Sequence, residues 1–345
     1  MKVLTFEEAL RRAGEKRHLL LGNGFSIALR PDIFCYGSLF AKADFSGYPE
    51  VEAVFRSLGS EDFEEAVQAL EGAATILPSF LPDQREACGR INACAAKIKD
   101  VLVATIAGQH PPRPNEISDD QYEACLRFLK NFLTGPKGGR IYTLNYDILL
   151  YWTLMNGFVN RSIDFNDGFR TDVYNGDAEY VVWDDSAHSQ NVYYLHGALH
   201  LFDGGHELQK YTWCRTDKPL IVQARDAIGK NLFPLFVAEG TWEKKLRKIC
   251  HHSYLSKGQR SLASIKGVLF MHGVSLAEND THILRVIEQN KGITTLFVGL
   301  HGAPDSAENQ KIIRRAGAMV TSRDAKSPLQ VSFYDSAGAN VWGTA

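Results

Sequence analysis

The chain has 345 residues, 45% of them hydrophobic and 23% charged, with a net charge of −2. This length and apolar content allow one large or two modest cores, and the charge balance leaves no basic footprint for nucleic acid. No signal-peptide core precedes Arg17 and no run approaches the roughly 20 apolar residues of a membrane span, so a soluble, cytoplasmic protein is expected. Cys35, Cys88, Cys94, Cys125, Cys214 and Cys250 are scattered without a CxxC pair, so neither a disulfide framework nor a metal site is expected.

Thr5 to Gly14 reads as a short helix, with Glu7 and Glu8 at its positive end and Gly14 as a stop. His18 to Leu21 is an apolar run with strand character, and it enters the glycine-rich turn GNGFS at 22 to 26, after which Phe25 to Leu29 can open a helix. Gly22 and Gly24 permit close backbone approach, and free amides at a helix start favour an anion, so this turn is a candidate phosphate cradle. The third glycine of a GxGxxG fingerprint falls at Ile27, and Asp44 lies outside any strand-like segment, so a hydride-transferring dehydrogenase fits poorly.

From Tyr48 to Leu133 the apolar spacing is helical, as at Phe63, Val67 and Leu70 and again at Tyr122, Cys125, Leu126 and Leu129. Residues 48–138 are therefore an inserted helical subdomain. Residues 1–47 begin an α/β core that resumes over 139–345. Strands are expected at Ile141 to Leu144, Asn191 to Leu195, Leu220 to Gln223, Val268 to Met271 and Thr295 to Val298. Helices are expected at Tyr146 to Met155, Trp242 to Tyr254 and Asp280 to Gln289, and the Asp-, Asn- and Gly-rich stretch from Val159 to Tyr194 reads as loops or hairpins. The alternation predicts a Rossmann-like, mostly parallel sheet with helices on both faces. Ligands of such sheets sit beyond the carboxyl ends of the strands, where this chain places Asn145, Tyr146 and Asp147, then His196 and Gly197, then His272, Gly273 and Ser275.

Taken in order, GNGFS, TLNYD at 143 to 147, LHG at 195 to 197 and HGVSLAEND at 272 to 280 resemble the motifs of sirtuin-related proteins. The resemblance is closer to the SIR2-like NAD-hydrolase domains of bacterial defence systems, and within them to DUF4917 proteins. It implies that Gly22, Asn23, Gly24, Phe25 and Ser26 meet the phosphates of NAD. It also implies that Asn145 and Asp147 hold the nicotinamide-side ribose and the attacking water, that His196 acts on ribose hydroxyls, and that Gly273, Ser275 and Asp280 contact the nucleotide. Arg30 and Asp32 stand where sirtuins carry a loop over the cofactor. The small zinc module of protein-deacylating sirtuins is missing, because its region holds only Cys214 and Cys250, which makes water the simplest acceptor.

Cleaving the nicotinamide–ribose bond develops oxocarbenium character, which polar groups around the sugar stabilise. An Asn side chain can orient water through both its donor and its acceptor, an ionised Asp147 can stabilise the cationic sugar, and a histidine of ordinary pKa near 6.5 can take a proton. Each residue also has a structural reading: Asn145 or Asp147 as a helix cap, His196 as a strand-end histidine on a backbone carbonyl. The expected activity is NAD glycohydrolysis to nicotinamide and ADP-ribose in antiphage abortive defence. Such an enzyme needs a gate, which can be the helical block, a homo-oligomer, an activating partner protein or a nucleotide signal. The alternatives are an NAD or ADP-ribose sensor without turnover and a sirtuin-like ADP-ribosyl or acyl transferase.

Overall fold

The computed structural model describes residues 2–34, 39–81, 83–108, 110–111, 113–133, 138–186, 189–212, 218–237 and 241–343. Cys35 and Cys214 fall outside these; Cys88, Cys94, Cys125 and Cys250 are free thiols. In chain order the strands are β1 (Val3–Leu4), β2 (Arg17–Leu21), β3 (Ile141–Thr143), β4 (Phe169–Arg170), β5 (Tyr180–Trp183) and β6 (Val192–Tyr194). They continue as β7 (Gly197–Asp203), β8 (Leu208–Tyr211), β9 (Pro234–Phe236), β10 (Gly267–His272), β11 (Ile293–Leu300) and β12 (Gln330–Asp335).

Seven strands form a wholly parallel sheet in the order β1-β12-β11-β10-β2-β3-β6. If β2, β3, β6, β10, β11 and β12 are counted first to sixth, the order from the β6 edge is 3-2-1-4-5-6, that of dinucleotide-binding folds, with β1 added at the far edge. The order reverses between β2 and β10. The segment VSFYD completes this sheet as β12, between β11 and β1.

Side-chain alternation explains why both faces are covered. Leu19, Leu21, Phe270, Phe297 and Tyr334 belong to one apolar cluster, whereas Leu20, Leu269, Met271, Leu296 and Val298 belong to another on the opposite face. The second face is closed by Leu262, Ile283, Ile287 and Met319 from helices over Ser253–Ser264, Thr281–Gln289 and Ala307–Thr321. At the chain start, the helix Phe6–Ala13 is held by a capping box: Thr5 Oγ1 accepts from the Glu8 amide at 3.1 Å, and Glu8 Oε2 accepts from the Thr5 amide at 3.0 Å.

After the short helix Gly24–Ile27, the α-helices between β2 and β3 form a block whose members span, in order, Leu39–Lys42, Pro49–Leu58, Phe63–Phe80, Arg85–Gly108 and Asp119–Leu133. The first four gather around a phenylalanine nest in which Phe40, Phe45, Phe55 and Phe63 have centroids 5.0 to 6.4 Å apart. The fifth lies on the sheet, with Phe128 5.5 Å from Phe6 and Phe132 5.4 Å from Phe270. The apolar cluster therefore runs unbroken from the helical block into the parallel sheet.

A second sheet, antiparallel and ordered β4-β5-β8-β7-β9, takes β4 and β5 from before β6 and the other three strands from after it. It draws β4 and β5 from the stretch read as loops or hairpins, and it extends through 197–211 and 234–236, where no strand was expected. Leu220 to Gln223 is a correction of type: it starts the helix Leu220–Gly229. The aliphatic run Leu220 to Val222 fits a strand or a helix equally, and here Gln223, Ala224, Arg225 and Ala227 continue it with good helix formers. No helix among the described residues is long and apolar enough to cross a membrane.

The tail returns to the first motif. Trp342 is buried, its Nε1–H donates to the Phe25 carbonyl at 2.7 Å, and the two rings are 5.0 Å apart. Trp342→Ala is expected to lower the unfolding free energy by about 3–5 kcal/mol in urea titration, and Trp342→Phe by about 1–3 kcal/mol through the unpaired carbonyl.

Candidate active site

The turn after β2 and the turn after β10 meet at the reversal of strand order. The Gly22 amide donates to the His272 carbonyl at 3.0 Å and the Gly24 amide to the Gly273 carbonyl at 2.9 Å. A Cβ on Gly22 would stand 2.6 Å from the Gly273 oxygen, and one on Gly24 2.6 Å from the Gly273 Cα. Gly273 itself has φ +67°. The Phe25 and Ser26 amides donate to the Gly22 and Asn23 carbonyls at 2.9 and 3.0 Å. These four amides are thus paired within the protein, and the glycines are required by backbone contact. The expectation of unpaired amides along this turn does not hold for those four.

Ser26 joins the residues after β3. Its Oγ–H donates to Asp147 Oδ2 at 2.5 Å and accepts from Asn145 Nδ2 at 2.8 Å. Asp147 Oδ1 accepts from the Leu149 amide at 3.0 Å, at the start of the helix Leu149–Val159, and the Asn145 amide donates to Thr143 Oγ1 at 3.0 Å. All three side chains are buried. Asp147 thus caps a helix, as the structural reading has it, and also sits in a polar cluster with Asn145. Burial pushes its pKa up from 3.8 to about 6, against the lowering effect of its bonds to Ser26 and Leu149. His110, which no motif singled out, supports this loop: its Nε2 accepts from the Ile148 amide at 3.1 Å while Nδ1–H donates to the Pro111 carbonyl at 2.9 Å.

His196 stands where the chain leaves the parallel sheet for the antiparallel one. Gly197 makes that corner with φ +71°, and a Cβ there would lie 1.9 Å from the Leu235 carbonyl oxygen, so the glycine of LHG is required by the approach of β9. The His196 carbonyl accepts from the Val237 amide at 2.8 Å. Its Nε2 lies 2.8 Å from Nε2 of His282, the rings 5.0 Å apart. Burial and the nearby Lys245 ammonium lower its pKa to about 3, so His196 is a neutral ring and a far weaker base than an ordinary histidine.

The remaining expected residues disperse. Arg30 and Asp32 pair with each other on the surface, Nε to Oδ1 at 2.9 Å and Nη2 to Oδ2 at 2.8 Å. Ser275 is exposed in the loop after β10. Asp280 pairs with the buried Lys245 at 3.4 Å beside the two histidines. His272 is a core histidine on Tyr334 Oη at 3.0 Å. His282 lies on a helix one step beyond the last motif, and sequence reasoning missed it; the one available signal was its position two residues after Asp280.

His196, Asp280 and His282 place their ligand atoms within 4.8 Å of one another. Two imidazole nitrogens bound at 2.0–2.1 Å to one tetrahedral metal would stand more than about 3 Å apart. The 2.8 Å separation fits a shared proton instead, and Lys245 opposes a cation there. A cleft of about 770 Å³ has walls that include Phe40, Phe55, Phe236, Val237, Lys245 and Lys248; among its described lining residues Lys245, the partner of Asp280, reaches towards the histidine pair, and Ser26, Asn145, Asp147, His196 and His282 are not among them.

The strand order and the polar cluster at its reversal define a Rossmann-like α/β protein with its candidate site at the carboxyl ends of β2, β3, β6 and β10. The chain belongs to the DUF4917 family, described as a domain of unknown function, whose model matches residues 19–342. Comparison with curated proteins gives no match.

The raised pKa of Asp147 carries a stability consequence. A carboxyl with a higher pKa folded than unfolded binds more protons folded between about 3.8 and 6, so its contribution to stability falls as pH rises through that window. Asp147→Asn is neutral throughout and keeps an acceptor for Leu149. Chemical denaturation at pH 4 and pH 7 is expected to show the variant escaping roughly 2–3 kcal/mol of the decline seen in the wild type.

Proposed function

We propose that the protein is an NAD glycohydrolase, cleaving NAD with water to nicotinamide and ADP-ribose, in the SIR2-like manner that its motifs resemble. The observation that carries the reading is convergence. Ser26, Asn145 and Asp147 form one buried polar cluster at the reversal point of a dinucleotide-type sheet, and His196 follows β6, the strand paired with β3. The nearby cleft of about 770 Å³ is of a size suited to a nucleotide ligand.

In the proposed reaction the bond from the anomeric carbon to the pyridinium nitrogen breaks, and its electron pair leaves with neutral nicotinamide. Water oriented by Asn145 adds to the cationic sugar. Its proton passes to Asp147, whose pKa near 6 suits a base working around neutrality. His196, neutral and weakly basic, accepts a hydrogen bond from a ribose hydroxyl and is not itself the main proton acceptor. Depletion of NAD during phage infection is the proposed biological role, with the helical block, an oligomer, a partner protein or a nucleotide as the gate.

The low pKa of His196 and the paired amides of the GNGFS turn favour a second reading, a sensor that holds NAD or ADP-ribose without turnover. Purified protein incubated with NAD separates the two. Hydrolysis yields equal amounts of nicotinamide and ADP-ribose, with Asp147→Asn and Asn145→Ala each reducing the rate by about 10²-fold or more. Binding without product supports the sensor, and full turnover by Asn145→Ala, Asp147→Asn and His196→Ala together would remove the site.

A further inference from the structure

We propose that His282 is the positioning residue of this site: its ring N–H holds Nε2 of His196 until a hydroxyl of the bound sugar takes its place. The proposal rests on the NAD reading for the identity of the sugar, and on the geometry of the two rings for everything else.

The tautomers follow from the partners. His282 Nδ1 has no partner among the described residues, and a buried N–H left unpaired is rarer than a buried acceptor left unpaired, so the proton of neutral His282 lies on Nε2. It is donated to Nε2 of His196, 2.8 Å away, which is therefore bare. His282 Nδ1 is then the bare nitrogen, buried and without a hydrogen-bond partner.

This arrangement is unlike the other buried histidines near the strand ends. His110 uses both ring nitrogens on backbone groups, and His272 is bonded to a tyrosine hydroxyl. His282 instead directs its donor at the one atom of His196 with a free lone pair. Burial keeps both rings neutral, and Lys245, 3.4 Å from Asp280, adds a positive charge that acts in the same direction, which preserves a donor and an acceptor instead of two repelling cations. Asp280 and Lys245 thus form the wall against which the pair is set.

Two functions follow for the sugar. When no ligand is present, the buried lone pair of His196 is satisfied, which avoids the desolvation cost of an unpaired acceptor. When a ribose hydroxyl arrives, it meets a lone pair whose direction the contact with His282 has already fixed. Loss of such alignment raises the barrier of the reacting complex more than it weakens binding.

The test compares His282→Gln, which retains an N–H donor, with His282→Leu, which retains bulk alone. Nicotinamide release is expected to fall by about 10²-fold in kcat for His282→Leu with little change in KM, and His282→Gln is expected to restore most of the loss. Ring-nitrogen NMR of 15N-histidine protein supplies a readout independent of turnover. Wild-type His196 is expected as the Nδ1–H tautomer, and His282→Leu is expected to shift its Nε2 resonance. Unchanged kcat together with an unchanged His196 resonance in His282→Leu would overturn the proposal, as would an Nε2–H tautomer of His196 in the wild type. A wild type that releases no nicotinamide under any condition counts against the NAD reading, while the NMR result still decides the pairing of the two rings.

Discussion

The contact on which the site depends is backbone against backbone. Gly22 and Gly24 lie so close to Gly273 that a Cβ on either would stand 2.6 Å from a backbone atom, and two hydrogen bonds lock the turns together. This joins the first strand to the fourth of the dinucleotide-type order, at the one place where neighbouring crossovers diverge and leave a crevice. Ser26 follows this locked turn in a four-residue helix, itself pinned by Trp342 through the Phe25 carbonyl. Its hydroxyl position is therefore set by the packing of two loops and the chain terminus, and Asn145 and Asp147 are in turn organised around that hydroxyl.

The polar cluster has no charge partner of its own. Asp147 is held by a hydroxyl and an amide, and neither cancels the cost of burying its charge, which is why burial dominates its pKa. The histidine pair solves the same problem differently, by remaining neutral next to a lysine whose charge is balanced by Asp280. Two titratable environments are thus placed beyond the ends of the paired strands β3 and β6, and they push their groups in opposite directions.

Much of this was legible in the chain, for physical reasons that differ by element. β2, β3, β6, β10 and β11 announced themselves as short apolar runs because both faces are buried, and the polar residues soon after Leu21, Thr143, Tyr194 and His272 marked their carboxyl ends, whereas the two-residue β1 was not expected. The antiparallel sheet was not legible beyond its loops and hairpins. Its strands are two to seven residues long, and Gly197 to Asp203 reads GALHLFD, a run buried on nearly every position with no alternation to reveal it. The glycines were seen correctly as positions needing no side chain, but sequence could not tell whether a phosphate or another backbone comes close. His282 was hidden because its significance is a through-space contact with a residue 86 positions away.

The separation of pKa values assigns the proposed proton work to one residue. A base near 6 takes a proton from water as the carbon–oxygen bond forms and returns it to solvent at neutral pH with little uphill cost. A histidine near 3 cannot hold a proton long enough to serve that way, because its protonated form would be disfavoured by several kcal/mol at pH 7. What it can do is present a lone pair of fixed direction, and a hydroxyl bonded to that lone pair becomes a stronger donor as the neighbouring carbon becomes cationic. The interaction therefore strengthens towards the transition state without any net transfer of a proton, which is the kind of contact that raises kcat instead of merely tightening binding. On this division of labour the resemblance to sirtuin-related proteins and the electrostatics of this chain are compatible, but the acid–base burden moves from the histidine to the aspartate.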